Sequence, residues 1–247
     1  ISMPDVQVVL VRQLKEHAED LERWQAFAHQ QSVALGTWSG RDTPTLHWHG
    51  APPALEESLT LEGQSPLTLS FAPGDFLQVN AEVNQQMVAQ VVHWLAPKPG
   101  QKLLDLFAGI GNFSVPLAAA GADVHAVEGN AAMVARLAIN AQRNQLMISG
   151  QQADLSDPGS VKQLLTDRHE CDALVLDPPR SGGEAICQAL TRNPVPKVVY
   201  ISCDPATLAR DAAHLVHAGY RIKQVAVADM FLHTAHMETL MLFEYGG

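Results

Sequence analysis

The stretch KLLDLFAGIGN, residues 102–112, predicts the fold of the larger part of the chain. An apolar run around Asp105 is typical of a buried parallel strand, and Gly109 and Gly111 permit a tight turn directly after it. Backbone amides at the start of the following helix can approach a bound ligand. The stretch therefore predicts a strand, a glycine loop and a helix that together form a ligand site.

Strands and helices alternate beyond this stretch. Buried-type strands are predicted in DVHAVE, DALVLD and KVVYIS, and helices are predicted from Asn112, Asn130 and Pro205. The tail contains two further predicted strands, RIKQVAVADMF and ETLMLFEY, joined by a short connection and hence an antiparallel edge. The expected fold class is α/β, with a Rossmann-like, mostly parallel sheet and an antiparallel last strand.

The first hundred residues have a different pattern. Val6–Val11 predicts a strand, Glu16–Gln31 predicts a helix, and short alternating runs follow up to Gly74. An amphipathic helix is predicted from Asn80 to Leu95, before a Pro-rich break at 97–100. We therefore expect three segments: a small α/β subdomain that contacts RNA (1–74), a linking helix and hinge (75–100), and a cofactor-binding catalytic domain (101–247).

Composition limits the class of protein. The chain has 247 residues, of which 47% are hydrophobic, so it can bury a full core. It contains no apolar run of about eighteen residues and no signal-peptide pattern, so we expect a cytoplasmic protein without a membrane span. The net charge of −10 counts against binding to a polyanion. Because the chain begins at Ile1, we interpret it as a fragment whose missing part carries a basic surface.

Cysteine and histidine spacing predicts no metal. The three cysteines are widely spaced and form no C-x-x-C pair, which argues against a zinc site or a disulfide framework. Two histidine pairs, His47 with His49 and His233 with His236, lack a nearby carboxylate or cysteine that would complete a metal site. The cysteines are expected to be reduced thiols at positions 171, 187 and 203.

Polar residues at the predicted strand ends favour S-adenosylmethionine as the ligand. The third glycine of a dinucleotide loop is replaced by Ser114, which disfavours NAD. Asp105 suits a cofactor with a cationic amino-acid tail, and Glu128 can accept both hydroxyls of a ribose. Asp154, in QQADL, is placed to meet an adenine edge, although a helix cap or a solvated loop residue is an equally good interpretation.

Asp177 follows another buried-type strand. Two prolines after it restrict the backbone, so its carboxylate is expected to face whatever the sheet binds.

Cys203 is the candidate nucleophile. It lies after the KVVYIS strand and before a helix, where a thiol is expected to have a lowered pKa. A buried, inert cysteine is the simpler interpretation and fits Cys171 and Cys187 better. A thiolate that adds to carbon 6 of uracil makes carbon 5 nucleophilic, and a base must then remove the proton from carbon 5. Glu238, at the start of the last strand, is the candidate base, although an edge-strand acid is more often simply solvated.

Several motifs together resemble the RNA 5-methyluridine (uracil-C5) methyltransferase family, most closely its members that act on 23S ribosomal RNA. These motifs are DFLQVNAEVNQQMV, LLDLFAGIGNFSVPLA, LDPPR, YISCDPATLARD and DMFLHTAHMETLMLF, and they span about Phe71 to the C-terminus. The resemblance implies a methyltransferase that uses S-adenosylmethionine, releases S-adenosylhomocysteine and binds RNA. It implies Cys203 as nucleophile and Glu238 as base. It also implies cofactor and substrate contacts by Gln78, Phe107, Asn112, Glu128, Asp154 and Asp177, in addition to Asp105, Gly109 and Gly111.

Two departures from the family stand out. Asp204 replaces the usual asparagine beside the nucleophile, which is expected to raise the pKa of the thiol. The related ribosomal enzymes also have an N-terminal RNA-binding barrel and an iron–sulfur cluster held by cysteines. Neither pattern is found in this sequence, so we expect no iron–sulfur centre in this chain and weaker RNA binding. A monomer is expected.

Other functions remain open alternatives. A cytosine-5 methyltransferase is disfavoured because no cysteine adjoins the prolines of Asp177-Pro-Pro-Arg180. An amino-group methylase is disfavoured because Arg180 stands in place of a stacking aromatic. A transfer-RNA uracil methyltransferase shares the motifs, and a truncated domain that binds S-adenosylmethionine without turnover is also compatible with them.

Overall fold

The computed structural model describes residues 2–3, 6–41, 45–230, 233–234 and 237–246. By compactness the chain divides into two units, Ile1–Glu56 and Glu57–Gly247. The elements of the first unit are β1 (Ser2–Met3), β2 (Val6–Gln13), α1 (Ala18–Gln31), β3 (Ala34–Ser39) and β4 (Thr45–Trp48). Within the described residues these strands form one sheet in the order β1-β2-β3-β4, in which β2 and β3 are parallel and the outer pairings are antiparallel. The strand and helix predicted at the start of the chain are therefore confirmed.

Two short strands and a helix come next, and the division between the two units falls after the first residue of the first of these strands. These elements are β5 (Glu56–Leu59), β6 (Leu67–Ser70) and α2 (Ala81–Leu95). β5 and β6 pair with each other. The Asn80 side chain accepts a hydrogen bond from the Val83 amide at 3.1 Å and so caps α2, which confirms the helix predicted at Asn80–Leu95. Compactness divides the chain after Glu56 and not at residue 74, because β6 is hydrogen-bonded to a later helix, as described below.

A seven-stranded sheet organises the rest of the described chain. Its strands run in the order β12-β13-β11-β10-β7-β8-β9. The elements are β7 (Lys102–Leu106), α3 (Ser114–Ala119), β8 (Asp123–Glu128), α4 (Ala131–Arg143), β9 (Ile148–Gln152), α5 (Pro158–Asp167), β10 (Ala173–Leu176), α6 (Glu184–Leu190), β11 (Lys197–Ser202), α7 (Pro205–His217), β12 (Tyr220–Ala228) and β13 (Glu238–Tyr245). The alternation confirms the expected α/β class.

The pairing of the last strand refines the predicted antiparallel edge. The five strands from β9 to β11 are parallel, and β13 lies antiparallel between β11 and β12. The outermost strand on that side is therefore β12, not the last strand in sequence. The predicted first residues of two helices agree closely with the structure: α4 and α7 begin directly after Asn130 and Asp204, whose side chains cap them. The helix predicted from Asn112, α3, begins at Ser114 instead.

A large hydrophobic core lies between this sheet and helices α5, α6 and α7. Fully buried side chains there include Tyr200, Tyr220 and Phe243. Each large apolar side chain buried in this way contributes on the order of 1.5–3 kcal/mol. Cys171 and Cys187 are buried in this core, as the simpler interpretation predicts, and burial raises the pKa of Cys171 to about 11. None of the described helices is both long and apolar enough to cross a bilayer.

Candidate active site

The predicted catalytic and ligand residues lie at one rim of the large sheet. Strand register aligns Leu106 with Leu176, and Leu176 with Tyr200, so the residues that follow β7, β10 and β11 are neighbours. Because β13 is antiparallel to β11, its first residue lies at this same rim. The pairing of Ser202 with Thr239 places Cys203 beside Glu238.

Cys203 is partly exposed between β11 and α7. Burial raises the pKa of its thiol, and the nearby Glu238 carboxylate raises it further, whereas the positive charge of Arg180 and a hydrogen bond with its side chain lower it. The lowered pKa expected from the helix N-terminus is therefore wrong in direction. The amides of Ala206 and Thr207 donate to the Asp204 side chain at 2.9 and 3.1 Å.

Asp204 acts as the N-cap of α7. These backbone hydrogen bonds lower the pKa of Asp204 itself. The carboxylate that raises the pKa of Cys203 is that of Glu238, so the effect expected from Asp204 is found at a different residue.

Glu238 is almost completely buried, with 4% of its surface exposed. Burial raises the pKa of its carboxyl group. Burial raises the pKa of Asp177 well above its usual value, and the nearby carboxylates of Glu238 and Asp105 raise it further. Carboxylates with raised pKa values are stronger bases when ionised, and such groups cluster at functional sites.

The glycine loop between β7 and α3 has an unusual backbone. Phe107, Gly109 and Gly111 have φ values of 61°, 56° and 103°. A Cβ atom added at Gly109 would meet nothing within 4 Å, whereas one at Gly111 would lie 3.0 Å from Val115. Gly109 therefore borders open space where a ligand can approach, and Gly111 serves the packing of α3.

One cleft brings several of the predicted ligand residues together. Among the described residues that line it are Gln78, Phe107, Gly109, Asn112 and Asp177. Asp105, Gly111, Glu128 and Asp154 lie outside this lining.

Two residues that line this cleft and one that supports it were not predicted from the sequence. Glu57 and Phe76 line it, and burial raises the pKa of Glu57. The fully buried Asn84 exchanges two side-chain hydrogen bonds of 2.9 Å with Asn112. This pairing fixes the orientation of Asn112. An asparagine on the predicted buried face of α2 was the available signal, because a buried amide needs partners.

Glu128 and Asp154 lie farther along the rim, after β8 and β9. The two carboxylate oxygens of Glu128 accept from the Gly109 and Asn130 amides at 3.1 and 2.9 Å. Each oxygen has lone pairs left for a hydroxyl donor. Asp154 is exposed, and Ser156 donates to it through both its amide and its hydroxyl, which lowers the pKa of Asp154.

Asp105 is fully buried below the glycine loop. Its Oδ2 accepts a hydrogen bond from the Ser114 hydroxyl, whereas its Oδ1 has no hydrogen-bond partner. Burial raises the pKa of Asp105 to about 7. A buried carboxylate oxygen without a partner is costly in the free protein and is suited to a cationic ligand group.

No group of three potential metal ligands occurs within the part of the chain that the structure describes. The Nε2 atom of His49 forms a hydrogen bond of 2.9 Å with the Thr37 hydroxyl, which gives this histidine a structural partner. His236 of the second histidine pair lies outside the described residues.

A family model described as tRNA (Uracil-5-)-methyltransferase matches residues 52–245. The chain belongs to this family. A relative from Halomonas elongata, named 23S rRNA (uracil(1939)-C(5))-methyltransferase RlmD, is 55% identical over 242 residues, which cover 96% of this chain and 50% of that protein. A Pseudomonas putida relative with the same name is 43% identical over 97% of this chain and 52% of its own length. The chain thus spans about half the length of the curated uracil-C5 methyltransferases it matches.

Solved structures share the fold. A Pyrococcus abyssi tRNA (uracil-54, C5)-methyltransferase in complex with S-adenosyl-L-homocysteine aligns with a TM-score of 0.71 and 23% identity, over 96% of this chain and 56% of that one. M. jannaschii TYW2 in complex with AdoMet aligns with a TM-score of 0.55 and 17% identity, over 86% of this chain and 93% of that one. The fold is therefore that of S-adenosylmethionine-dependent methyltransferases.

Proposed function

We propose that this chain is the catalytic part of an enzyme that methylates carbon 5 of a uridine in 23S ribosomal RNA. The observation that carries this proposal is the pairing of Cys203 with Glu238 at the rim where the glycine loop and Asp177 also lie. The names of the relatives with 43–55% identity support 23S ribosomal RNA as the target. The family description names tRNA, so transfer RNA is the second candidate substrate.

The residues of the site fit S-adenosylmethionine as cofactor. The open space at Gly109 can admit a ligand, and the unpaired Oδ1 of Asp105 suits a nearby cationic amino-acid group. We expect Glu128 to hold the ribose and Asp154 the adenine, whereas Gln78, Asn112, Asp177 and the backbone of Phe107 hold the rest. When bound, S-adenosylmethionine supplies a methyl group attached to a positively charged sulfur.

In this proposal Cys203 is the nucleophile that attacks the uracil ring and Glu238 is the base that removes its proton. The Cys203 thiolate forms a bond from Sγ to carbon 6, and the electrons of the carbon 5–carbon 6 double bond make carbon 5 nucleophilic. Once carbon 5 carries the methyl group, Glu238 accepts the proton of carbon 5. The electrons of that C–H bond restore the double bond, and the bond between Sγ and carbon 6 breaks.

The charged neighbours of Cys203 influence the pKa of its thiol and therefore how readily the thiolate forms. Arg180 favours the thiolate through its charge and its hydrogen bond, whereas the Glu238 carboxylate opposes it. Protonation of Glu238 removes this opposition. The pair is thus coupled, so that proton transfer to Glu238 eases the departure of Cys203 as a thiolate.

A covalent trap tests the mechanism. RNA that contains 5-fluorouracil is incubated with the chain and S-adenosylmethionine, because a fluorine on carbon 5 cannot leave as a cation and the adduct persists. We expect a denaturation-resistant adduct in the wild type and none in Cys203→Ala. Absence of an adduct from a chain that still binds S-adenosylhomocysteine would overturn the proposal in favour of a binding domain without turnover.

The same assay distinguishes the two substrates. A 23S ribosomal RNA fragment and a transfer RNA, both containing 5-fluorouracil, are compared at equal concentration. Preferential adduct formation with the ribosomal fragment supports the proposal, and preference for transfer RNA favours the alternative. The monomeric state and the cytoplasmic location stay predictions.

A further inference from the structure

Helix α4 and its C-cap residue present three polar side chains that are spaced four residues apart, Arg136, Asn140 and Asn144. Residues at this spacing lie on one helix face. We call these three residues the α4 row. Each contacts a different point of the segment 68–75: Asn144 contacts Thr68, Asn140 contacts Ser70, and Arg136 forms an ion pair with Asp75. The row therefore follows this segment along its length.

The two asparagines bind the backbone of β6 in the same way. Asn144 accepts from the Thr68 amide at 2.9 Å and donates to the Thr68 carbonyl at 2.8 Å. Asn140 accepts from the Ser70 amide at 2.8 Å and donates to the Ser70 carbonyl at 3.1 Å. Each carboxamide thus takes the place of a neighbouring strand residue.

Asn140 differs from Asn144 in one respect. Its Nδ2 also donates to the carbonyl of Ile110, in the glycine loop, at 2.9 Å. Its Oδ1 also accepts from the Ser70 hydroxyl at 2.7 Å, so the carboxamide makes four hydrogen bonds. The side chain is completely buried, whereas Asn144 is partly exposed and its third bond goes to the Asn140 carbonyl, within α4.

The two chain segments that Asn140 connects, β6 and the glycine loop, each form one wall of the cleft. The glycine loop supplies Phe107, Gly109 and Asn112, and the chain that continues from β6 supplies Gln78. Asp75 holds this continuation in place, because its Oδ2 accepts from the Ala72 amide at 2.7 Å and pairs with Arg136. A single buried carboxamide therefore connects the two walls.

We propose that Asn140 is a positioning residue that fixes the distance between the two walls of the cleft and thereby sets the affinity for the cofactor. The inference rests on the proposed function for the identity of that cofactor. If Asn140 only stabilised the fold, its substitution would change the stability of the protein as substitution of Asn144 does and would change nothing else. A positioning residue also affects ligand affinity and the order of the glycine loop.

The test compares Asn140→Asp with Asn144→Asp. Both substitutions keep the accepting oxygen and replace a donating amide with an oxygen that repels the facing carbonyls, but only the first affects the Ile110 carbonyl. The dissociation constant for S-adenosylhomocysteine is measured by calorimetry. Amide hydrogen exchange of the peptide covering residues 107–112 is measured without ligand, and thermal unfolding identifies the folded fraction.

We expect both variants to be less stable than the wild type. Asn140→Asp should raise the dissociation constant about tenfold and speed amide exchange in the glycine loop about tenfold. A change of this size is expected from the loss of one buried hydrogen bond, here the bond to the Ile110 carbonyl. Asn144→Asp should change either quantity less than about twofold, because the Asn144 side chain bonds to Thr68 and Asn140 and not to the glycine loop. Equal changes in the two variants, or an unchanged dissociation constant in folded Asn140→Asp, would overturn the proposal.

A milder pair keeps the test decisive if a buried charge unfolds the chain. Asn140→Ser and Asn144→Ser shorten the side chains without adding charge, and the same difference between them is expected. Failure of the wild type to bind S-adenosylhomocysteine would count against the proposed function itself. Loop exchange, which needs no ligand, would then still decide whether Asn140 connects the two walls.

Discussion

Replacement of Asp105 by asparagine should change how the stability of the protein depends on pH. Asp105 is fully buried, its Oδ1 has no hydrogen-bond partner, and burial raises its pKa from 3.8 to about 7. An acid with a raised pKa holds a proton in the folded state that the unfolded state releases. Wild-type stability therefore falls as pH rises from about 4 to about 7, and Asp105→Asn removes this fall.

The magnitude follows from the two pKa values. With about 1.36 kcal/mol for each pKa unit, Asp105 costs the folded wild type about 1.7 kcal/mol at pH 5 and about 4 kcal/mol at pH 8. The amide introduced by Asp105→Asn also lacks a partner for its nitrogen, which costs about 1–3 kcal/mol at every pH. This constant cost cancels when the two pH values are compared. The stability of the variant relative to wild type should therefore rise by about 2.5 kcal/mol between pH 5 and pH 8.

Urea unfolding followed by circular dichroism at several pH values measures this difference. Glu238, whose pKa is raised by burial alone, is present in both proteins, so its contribution cancels. The pKa of Asp177 falls in the variant because Asp105 helps to raise it, and this change adds to the expected rise in the relative stability of the variant. A difference between variant and wild type that stays constant from pH 5 to pH 8, to within about 0.5 kcal/mol, would refute the reasoning. We also expect weaker binding of S-adenosylhomocysteine by the variant, because the cationic amino group of that ligand loses a buried negative partner.

Three further predictions concern the proposed nucleophile and a buried hydrogen-bond network. Glu238→Gln should lower the pKa of Cys203, because it removes the carboxylate that adds to the effect of burial; the pH dependence of iodoacetamide alkylation at Cys203 tests this, and an unshifted profile contradicts it. Arg180→Gln should have the opposite effect in the same assay, with slower alkylation at neutral pH, and faster alkylation would argue against its role. Asp211→Ala should destabilise the protein by about 3 kcal/mol and Tyr200→Phe by about 1 kcal/mol in urea unfolding, because the buried Asp211 carboxylate accepts from several donors whereas Tyr200 loses a single hydroxyl; equal losses would be inconsistent with this network.

Local patterns in the sequence were sufficient for much of the fold and site. Apolar runs and helix caps at Asn80, Asn130 and Asp204 predict where strands and helices begin, because these signals act between residues that are close in sequence. In a parallel sheet the strand ends share one rim, so Asp177 and Cys203 could be placed together without coordinates.

Contacts between distant segments could not be predicted in this way. The bond from Asn140 to Ser70 joins residues 70 positions apart, and no local pattern indicates which backbone a buried asparagine will meet. The pKa of Cys203 shows the same limitation. A helix N-terminus predicts a lower pKa, but burial and the neighbouring Glu238, which depend on tertiary structure, have the larger effect.

The position of β13 between β11 and β12 affects how the protein is made. During synthesis β11 and β12 leave the ribosome before their shared partner, so each has an unpaired edge that can associate with other chains. Glu238 reaches Cys203 only when β13 inserts, so the proposed catalytic pair is completed late in folding. A chain that ends before this strand would therefore lack the proposed base and expose two unpaired strand edges that can associate with other chains.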